Sequence, residues 1–75
     1  MEKAMKIVDE MFDEHGLEPV SRRIDDVAKW VVPCENKNAQ DYITDWIDRV
    51  LPMNYTFGVE RVGEMVVLTV KKIKN

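Results

Sequence analysis

The sequence lacks most of the residues from which small-molecule sites are built. Its 75 residues include one cysteine, one histidine and three glycines. A single cysteine excludes an intramolecular disulfide, and together with one histidine it leaves too few ligands for a zinc site. The glycines are far apart and none belongs to a phosphate-binding loop, so nucleotide binding is not expected. No apolar run is long enough to span a bilayer.

The inventory of catalytic residues is equally small. Cys34 and His15 could form a nucleophile and a base, because residues far apart in sequence can meet in a fold. Neither lies in an activating motif. We therefore interpret His15 as a residue that caps the C-terminus of a helix and Cys34 as an ordinary loop thiol. The prediction is a protein without catalytic residues, metal or cofactor.

The composition is that of an ordinary globular protein, with 45% hydrophobic and 33% charged residues. A chain of this length forms one domain near the lower limit at which a core alone is sufficient, so a homodimer is compatible with the sequence. The net charge of −3 disfavours non-specific binding to nucleic acid or membranes. The N-terminus opens an amphipathic pattern rather than a signal peptide, which together with the single cysteine predicts a cytoplasmic protein.

Periodicity predicts most of the secondary structure. Apolar residues at helical spacing predict helices over residues 2–15 and 39–51. Gly16 is expected to end the first helix in the left-handed conformation, and Asn38 is expected to cap the second. Alternation and β-prone residues predict a C-terminal hairpin whose second strand covers residues 65–70.

Residues 17–33 fit two interpretations. A helix is compatible with their apolar spacing, with Pro19 tolerated in the first turn and Pro33 ending the helix. A hairpin with strands over residues 20–24 and 27–32 is compatible with their many β-branched residues. Local pattern alone does not decide between the two.

An internal comparison bears on this stretch. It superposes residues 23–27 on residues 61–65, at the turn of the later hairpin, and the apolar stripe of the first helix on that of the second. Such a repeat would make the chain two copies of helix-strand-strand. The predicted fold is α+β in the order α-β-β-α-β-β, with a four-stranded, mostly antiparallel sheet and both helices on one face. The alternative, three helices and a C-terminal β-hairpin, resembles a winged helix in the order of its elements.

Acidic residues form the preferred candidate for a partner-binding surface. Asp41, Asp45 and Asp48 lie at helical spacing opposite the apolar stripe of the second helix, and Asp9 and Asp13 lie on the first. Two helices side by side would present two carboxylate rows that could dock on a basic or DNA-binding protein. The simpler interpretation is that both rows are solvated helix faces.

Basic residues form the alternative, a nucleic-acid-binding surface, and they are Arg22, Arg23, Lys29, Lys71, Lys72 and Lys74. Several could share a face if their strands pair in one sheet. No aromatic and glycine-rich signature for single-strand binding accompanies them, and lysines on edge strands also protect against aggregation. In the winged-helix alternative the helix over residues 39–51 would read DNA, but its three aspartates would repel phosphates.

These observations predict a small, acidic, non-enzymatic protein-binding module that docks through its acidic helices or through an open sheet face. A short chain without catalytic residues is typical of inhibitors or modulators of a larger host protein, such as those that phages encode. A nucleic-acid-associated regulator is the alternative function.

Overall fold

The computed structural model describes residues 2–73 and has the predicted order of elements, α-β-β-α-β-β. The elements are α1 (Glu2–Glu14), β1 (Ser21–Ile24), β2 (Ala28–Pro33), α2 (Ala39–Val50), β3 (Tyr55–Val62) and β4 (Met65–Lys72). The α+β class is thereby confirmed. The stretch that fitted both a helix and a hairpin is a hairpin, so the alternative with three helices is wrong.

The four strands form one sheet in the order β1-β2-β4-β3, and each neighbouring pair is antiparallel. The second strand of each helix-strand-strand unit is therefore central, and the first strand of each unit lies at an edge. The two central strands pair antiparallel along their length, with Trp30 opposite Leu68. The topology is the one expected if two similar units associate through their second strands.

One face of the central strands is buried over most of its length. Along β2, and along β4 as far as Val70, every second residue is at most 1% accessible to solvent: Ala28, Trp30, Val32, Val66, Leu68 and Val70. These side chains form a single core cluster with the buried residues of both helices, among them Phe12 of α1 and Ile43 of α2. The hydrophobic effect on this cluster is the main source of stability in a chain of this size.

The helix ends agree with the sequence in part. Gly16 follows α1 with a φ of 70°, as predicted, because a residue without a Cβ adopts this left-handed conformation at little cost. Asn38 is the N-cap residue of α2, as predicted, but its side chain makes no capping hydrogen bond. Its backbone N–H instead donates to Oδ1 of Asn36 at 2.9 Å, so the polar loop before α2 is closed by a local Asn turn.

Candidate functional site

Asp9, one of the predicted partner-binding residues, is engaged within the fold. Its carboxylate accepts two-pronged hydrogen bonds from Nε and Nη2 of Arg22, at 2.8 to 3.1 Å. It also accepts a hydrogen bond from Nε1–H of the buried Trp30 at 2.9 Å. A buried indole N–H needs such an acceptor. Asp9 therefore joins α1 to β1 and β2.

The other predicted acidic residues are exposed on the two helices. Asp13 lines a shallow depression with Asp9 and with Glu18, next to the segment that leads into β1. On α2, Asp41, Asp45 and Asp48 are all exposed, as helical spacing opposite the buried Ala39, Ile43 and Ile47 predicts. This row of carboxylates is partly neutralised by an exposed ion pair within α2.

That ion pair joins Asp45 to Arg49, with 3.1 Å between Oδ2 and Nη2, and both side chains are more than half exposed. Pairs of this kind, one helical turn apart at the surface, contribute about 0.3 to 0.5 kcal/mol. The acidic side of α2 is thus an ordinary charged, solvated helix surface, with three carboxylates and one guanidinium in reach of water.

The sheet separates the predicted basic residues into two groups. Arg23 pairs with Lys29 across β1 and β2, and Lys29 pairs with Thr69 of β4. Lys71 lies two residues beyond Thr69 and therefore on the same side of the sheet. We call Arg23, Lys29 and Lys71 the basic patch. It lies on the face of the sheet opposite the core, which we call the open face.

The remaining basic residues do not belong to this patch. Arg22 points to the core side and is held by Asp9. Lys72 pairs with Tyr55 and alternates with Lys71, so it also points to the core side. Lys74 lies outside the described residues. The sequence offered six basic residues as candidates, and the strand register places three of them together on the open face.

Beside the basic patch the open face is apolar. We call the second group the apolar patch, and its members are Val31, Pro33, Val62, Met65 and Val67. None of them is buried, and the side chain of Val62 is 55% exposed. These residues were not named as site residues from the sequence. The signal for them was present in β4, where the run from Met65 to Val70 is β-prone at nearly every position rather than alternating apolar and polar.

The only histidine and the only cysteine contact different aromatic residues of α2. The imidazole of His15 stacks on Trp46, with ring centroids 3.6 Å apart and an angle of 4° between the planes. Trp46 in turn contacts Tyr42, whose hydroxyl oxygen lies 3.0 Å from Sγ of Cys34. His15 therefore has a packing role at the end of α1 that the sequence did not reveal.

The contact with Cys34 alters the chemistry of Tyr42. The hydrogen bond between the two side chains, reinforced by partial burial, raises the pKa of the Tyr42 hydroxyl above its usual value of 10.0, and the positive charge of Arg61 opposes part of this increase. Arg61 also donates from Nη1 to the carbonyl oxygens of Cys34 and Gly63, at 3.0 and 3.1 Å, and from Nη2 to that of Asn36. Arg61 thus fastens the loop before α2 to the turn between β3 and β4.

The edges of the sheet differ in how they are protected. At the β3 edge, Nε2 of Gln40 donates to the carbonyl oxygen of Val59 at 3.0 Å, so α2 occupies a backbone acceptor that another strand could use. The β1 edge has only four residues and carries two arginines, which are themselves features that discourage strand addition.

Within residues 2–73, no group of three or more His, Cys, Asp or Glu side chains is arranged to hold a metal ion. No helix in this part of the chain has the length and apolar character needed to cross a membrane. Comparisons of the chain with protein-family models, with curated proteins and with solved structures find no match.

Proposed function

We propose that this chain is a non-enzymatic protein-binding module that docks through the open face of its sheet. The observation that carries the proposal is the apolar patch, where five neighbouring residues of β2, β3 and β4 remain in contact with solvent. Pro33 and Val62 are exposed, and Val31, Met65 and Val67 are half-buried. An apolar patch that stays open to water on a small protein is often an interaction site, because leaving it in water is unfavourable.

The acidic helices support a docking surface less well than the open face does. Asp9 already has Arg22 and Trp30 as hydrogen-bond partners, and Asp45 is paired with Arg49. A partner that used these carboxylates would have to compete with contacts inside the chain. Charged residues on the solvent side of a helix are also what any surface helix carries.

The open face offers the chain one continuous surface through which it could cover part of a partner. We propose a role as an inhibitor or modulator of a larger protein in the cytoplasm, exerted by occupying a surface of that protein.

One observation favours the alternative function, nucleic-acid binding: Arg23, Lys29 and Lys71 share the open face. Sheets that bind single strands generally stack bases on exposed aromatic rings. Among the described residues, the aromatic side chains of the sheet, Trp30, Tyr55 and Phe57, all point to the core side. The open face therefore lacks the stacking platform that this function needs, and protein binding remains the better proposal.

The test compares the two candidate surfaces in one capture experiment. The tagged protein is incubated with lysate of the source cells, alongside two variants. One carries Val31→Glu and Val62→Glu on the open face, and the other carries Asp41→Asn, Asp45→Asn and Asp48→Asn on α2. Circular dichroism and thermal unfolding establish that both variants are folded.

We expect one protein to be retained by the unmodified chain and by the α2 variant, and lost from the open-face variant, because a carboxylate in an apolar contact must be desolvated without a partner. Retention by the open-face variant and loss from the α2 variant would assign docking to the acidic helix instead. Retention of nucleic acid alone, removed by moderate salt, would support the alternative function.

A further inference from the structure

We infer that the open face selects a partner surface on which carboxylates lie beside aliphatic side chains. This inference rests on the proposed docking through the open face and adds the chemistry of the partner. It follows from the way in which the basic patch and the apolar patch are arranged along the same strands.

The basic patch has no counter-charge in ion-pair contact within the described part of the chain. The salt bridges found there join Arg22 to Asp9 and Arg49 to Asp45, and neither involves the patch. Arg23 and Lys29 lie directly opposite each other on neighbouring strands, an arrangement of like charges that destabilises a sheet. An anionic group placed between them would relieve that repulsion.

The surface between these cations can receive such a group. Arg23, Lys29 and Thr69 line a depression of about 250 Å³ together with Val27 and Asp25. Asp25 belongs to the turn between β1 and β2 and is not within ion-pair distance of either cation. A carboxylate from a partner could therefore accept hydrogen bonds from the guanidinium and ammonium groups, and the Thr69 hydroxyl could act as a further donor.

The apolar patch begins one row away from the cations. Val31 follows Lys29 by two residues on β2, and Val67 precedes Thr69 by two residues on β4. Two residues along a strand correspond to about 7 Å. A partner that fills both patches must therefore carry carboxylates within about 7 to 14 Å of aliphatic side chains, a spacing that neighbouring turns of an amphipathic helix provide.

Glu60 gives the interface a direction. It belongs to β3 and pairs with Val67 of β4, beside the apolar patch and away from the cations. A carboxylate of the partner would be repelled there, whereas at the Lys29 end the two cations Arg23 and Lys29 outnumber the one carboxylate, Asp25, that lines the same depression. A phosphate backbone would meet this same repulsion, and it offers no aliphatic group for Val31, Val67 or Met65. The combination of charges and apolar residues thus fits an acidic protein surface better than a nucleic acid.

The experiment uses defined probes and the isotope-labelled full chain. The first probe is a helix-forming peptide with leucines on one side and glutamates next to them. The second has glutamine in place of each glutamate, and the third is a DNA duplex. Binding is followed by NMR chemical shifts of the backbone amides at low and moderate salt.

Two variants with the same net charge provide the internal control. One carries Arg23→Gln, Lys29→Gln and Lys71→Gln. The other carries Lys3→Gln, Lys6→Gln and Lys37→Gln, which remove three exposed cations outside the open face. The glutamate peptide should shift amides in β2 and β4 and bind about tenfold more weakly to the first variant, because several surface ion pairs are lost together. Its affinity for the second variant should change less than about threefold.

The inference is overturned if the peptide causes no shifts, if its glutamine version binds as tightly, if the two variants lose affinity equally, or if the duplex binds more tightly at moderate salt. The capture experiment described for the proposed function distinguishes a failure of this inference from a failure of the proposed function. In one outcome, the variant with Val31→Glu and Val62→Glu loses the captured protein while the variant with Arg23→Gln, Lys29→Gln and Lys71→Gln keeps it. That result would support docking through the open face and show that an acidic partner is wrong. If Val31→Glu with Val62→Glu retains the captured protein, the docking face itself is wrong.

Discussion

The two faces of the same sheet differ in burial, because one forms the core and the other is open to solvent. Trp30, Val32, Val66 and Leu68 point to one side and are inaccessible to solvent, whereas their direct neighbours Val31 and Val67 point to the other and are not buried. Neighbouring residues of one strand thus differ in what they contribute. The buried set provides the apolar area that stabilises the fold, and the open set is available for a partner.

This difference means that binding and stability can be altered independently. Substitutions on the open face should change what the protein binds and leave its free energy of unfolding nearly unchanged. Substitutions on the core face should lower the free energy of unfolding and leave binding nearly unchanged, as long as the protein still folds.

The largest effect is expected for Leu68→Ala. Leu68 lies at the centre of β4 and is fully buried, so the substitution should lower the free energy of unfolding by about 2 to 5 kcal/mol. The neighbouring Val67→Ala on the open face should lower it by less than about 1 kcal/mol. Denaturant unfolding of both variants measures the difference, and similar losses would mean that the open face is packed against something in the free protein.

Asp9→Ala should have the next largest effect. It leaves the buried N–H of Trp30 without an acceptor and removes the partner of Arg22, so we expect a loss of about 1 to 3 kcal/mol. Asp13→Ala, one helical turn away and exposed, should stay within about 0.5 kcal/mol of the unmodified protein. If the two variants are equally stable, Asp9 is a surface carboxylate like the others and returns to the list of partner-binding candidates.

A smaller effect is expected at the edge of the core, where Cys34 meets Tyr42. Cys34→Ala should lower the pKa of the Tyr42 hydroxyl towards 10.0, because the hydrogen bond that chiefly raises it is removed. Titration of tyrosinate absorbance measures the change. The Tyr42→Phe variant identifies the part of the absorbance that belongs to Tyr42. An unaltered titration curve would show that the thiol does not contact the hydroxyl in solution.

The direction of the pH dependence follows from the same pKa. A group whose pKa is raised on folding binds its proton more tightly in the folded chain. The contact therefore contributes stability below the pKa of 10.0 that applies to unfolded tyrosine, and this contribution is lost as the pH rises through the higher value in the folded protein. Unfolding of the Cys34→Ala variant should accordingly be less sensitive to alkaline pH.

The smallest effect concerns the basic patch. Lys29→Gln removes one of two like charges that face each other, so the free energy of unfolding should rise by a few tenths of a kcal/mol at low salt. The gain should disappear at high salt, because screening removes the repulsion in the unmodified protein as well. A loss of stability at low salt would indicate that Lys29 is already paired in the fold.

The elements were largely predictable because periodicity is a local property. The stripes of α1 and α2 and the turn at Gly63, with its φ of 61°, follow from the sequence alone. The hairpin over residues 21–33 was compatible with the pattern but could not be separated from a helix. Its formation depends on pairing with β4, which is distant in sequence.

The surfaces were less predictable, since they depend on register and on contacts between elements. A shift of one residue in a strand moves all of its side chains to the other face. Whether Arg22 or Arg23 joined Lys29 was therefore decided only by the pairing of β1 with β2. The engagement of Asp9 by Trp30 likewise joins residues 21 positions apart, and no local pattern indicates it.

The central claim is that the open face is uncovered in the free protein and covered by a partner. Valine methyl NMR with a neutral paramagnetic agent tests it directly, because Val31 and Val67 can be compared with Val32 and Val66 in one sample. We predict strong relaxation of Val31 and Val67 and protection of the other two, followed by protection of all four when the captured protein is added. Equal protection of the four valines in the free protein, or no change at Val31 and Val67 on adding that protein, would contradict the account.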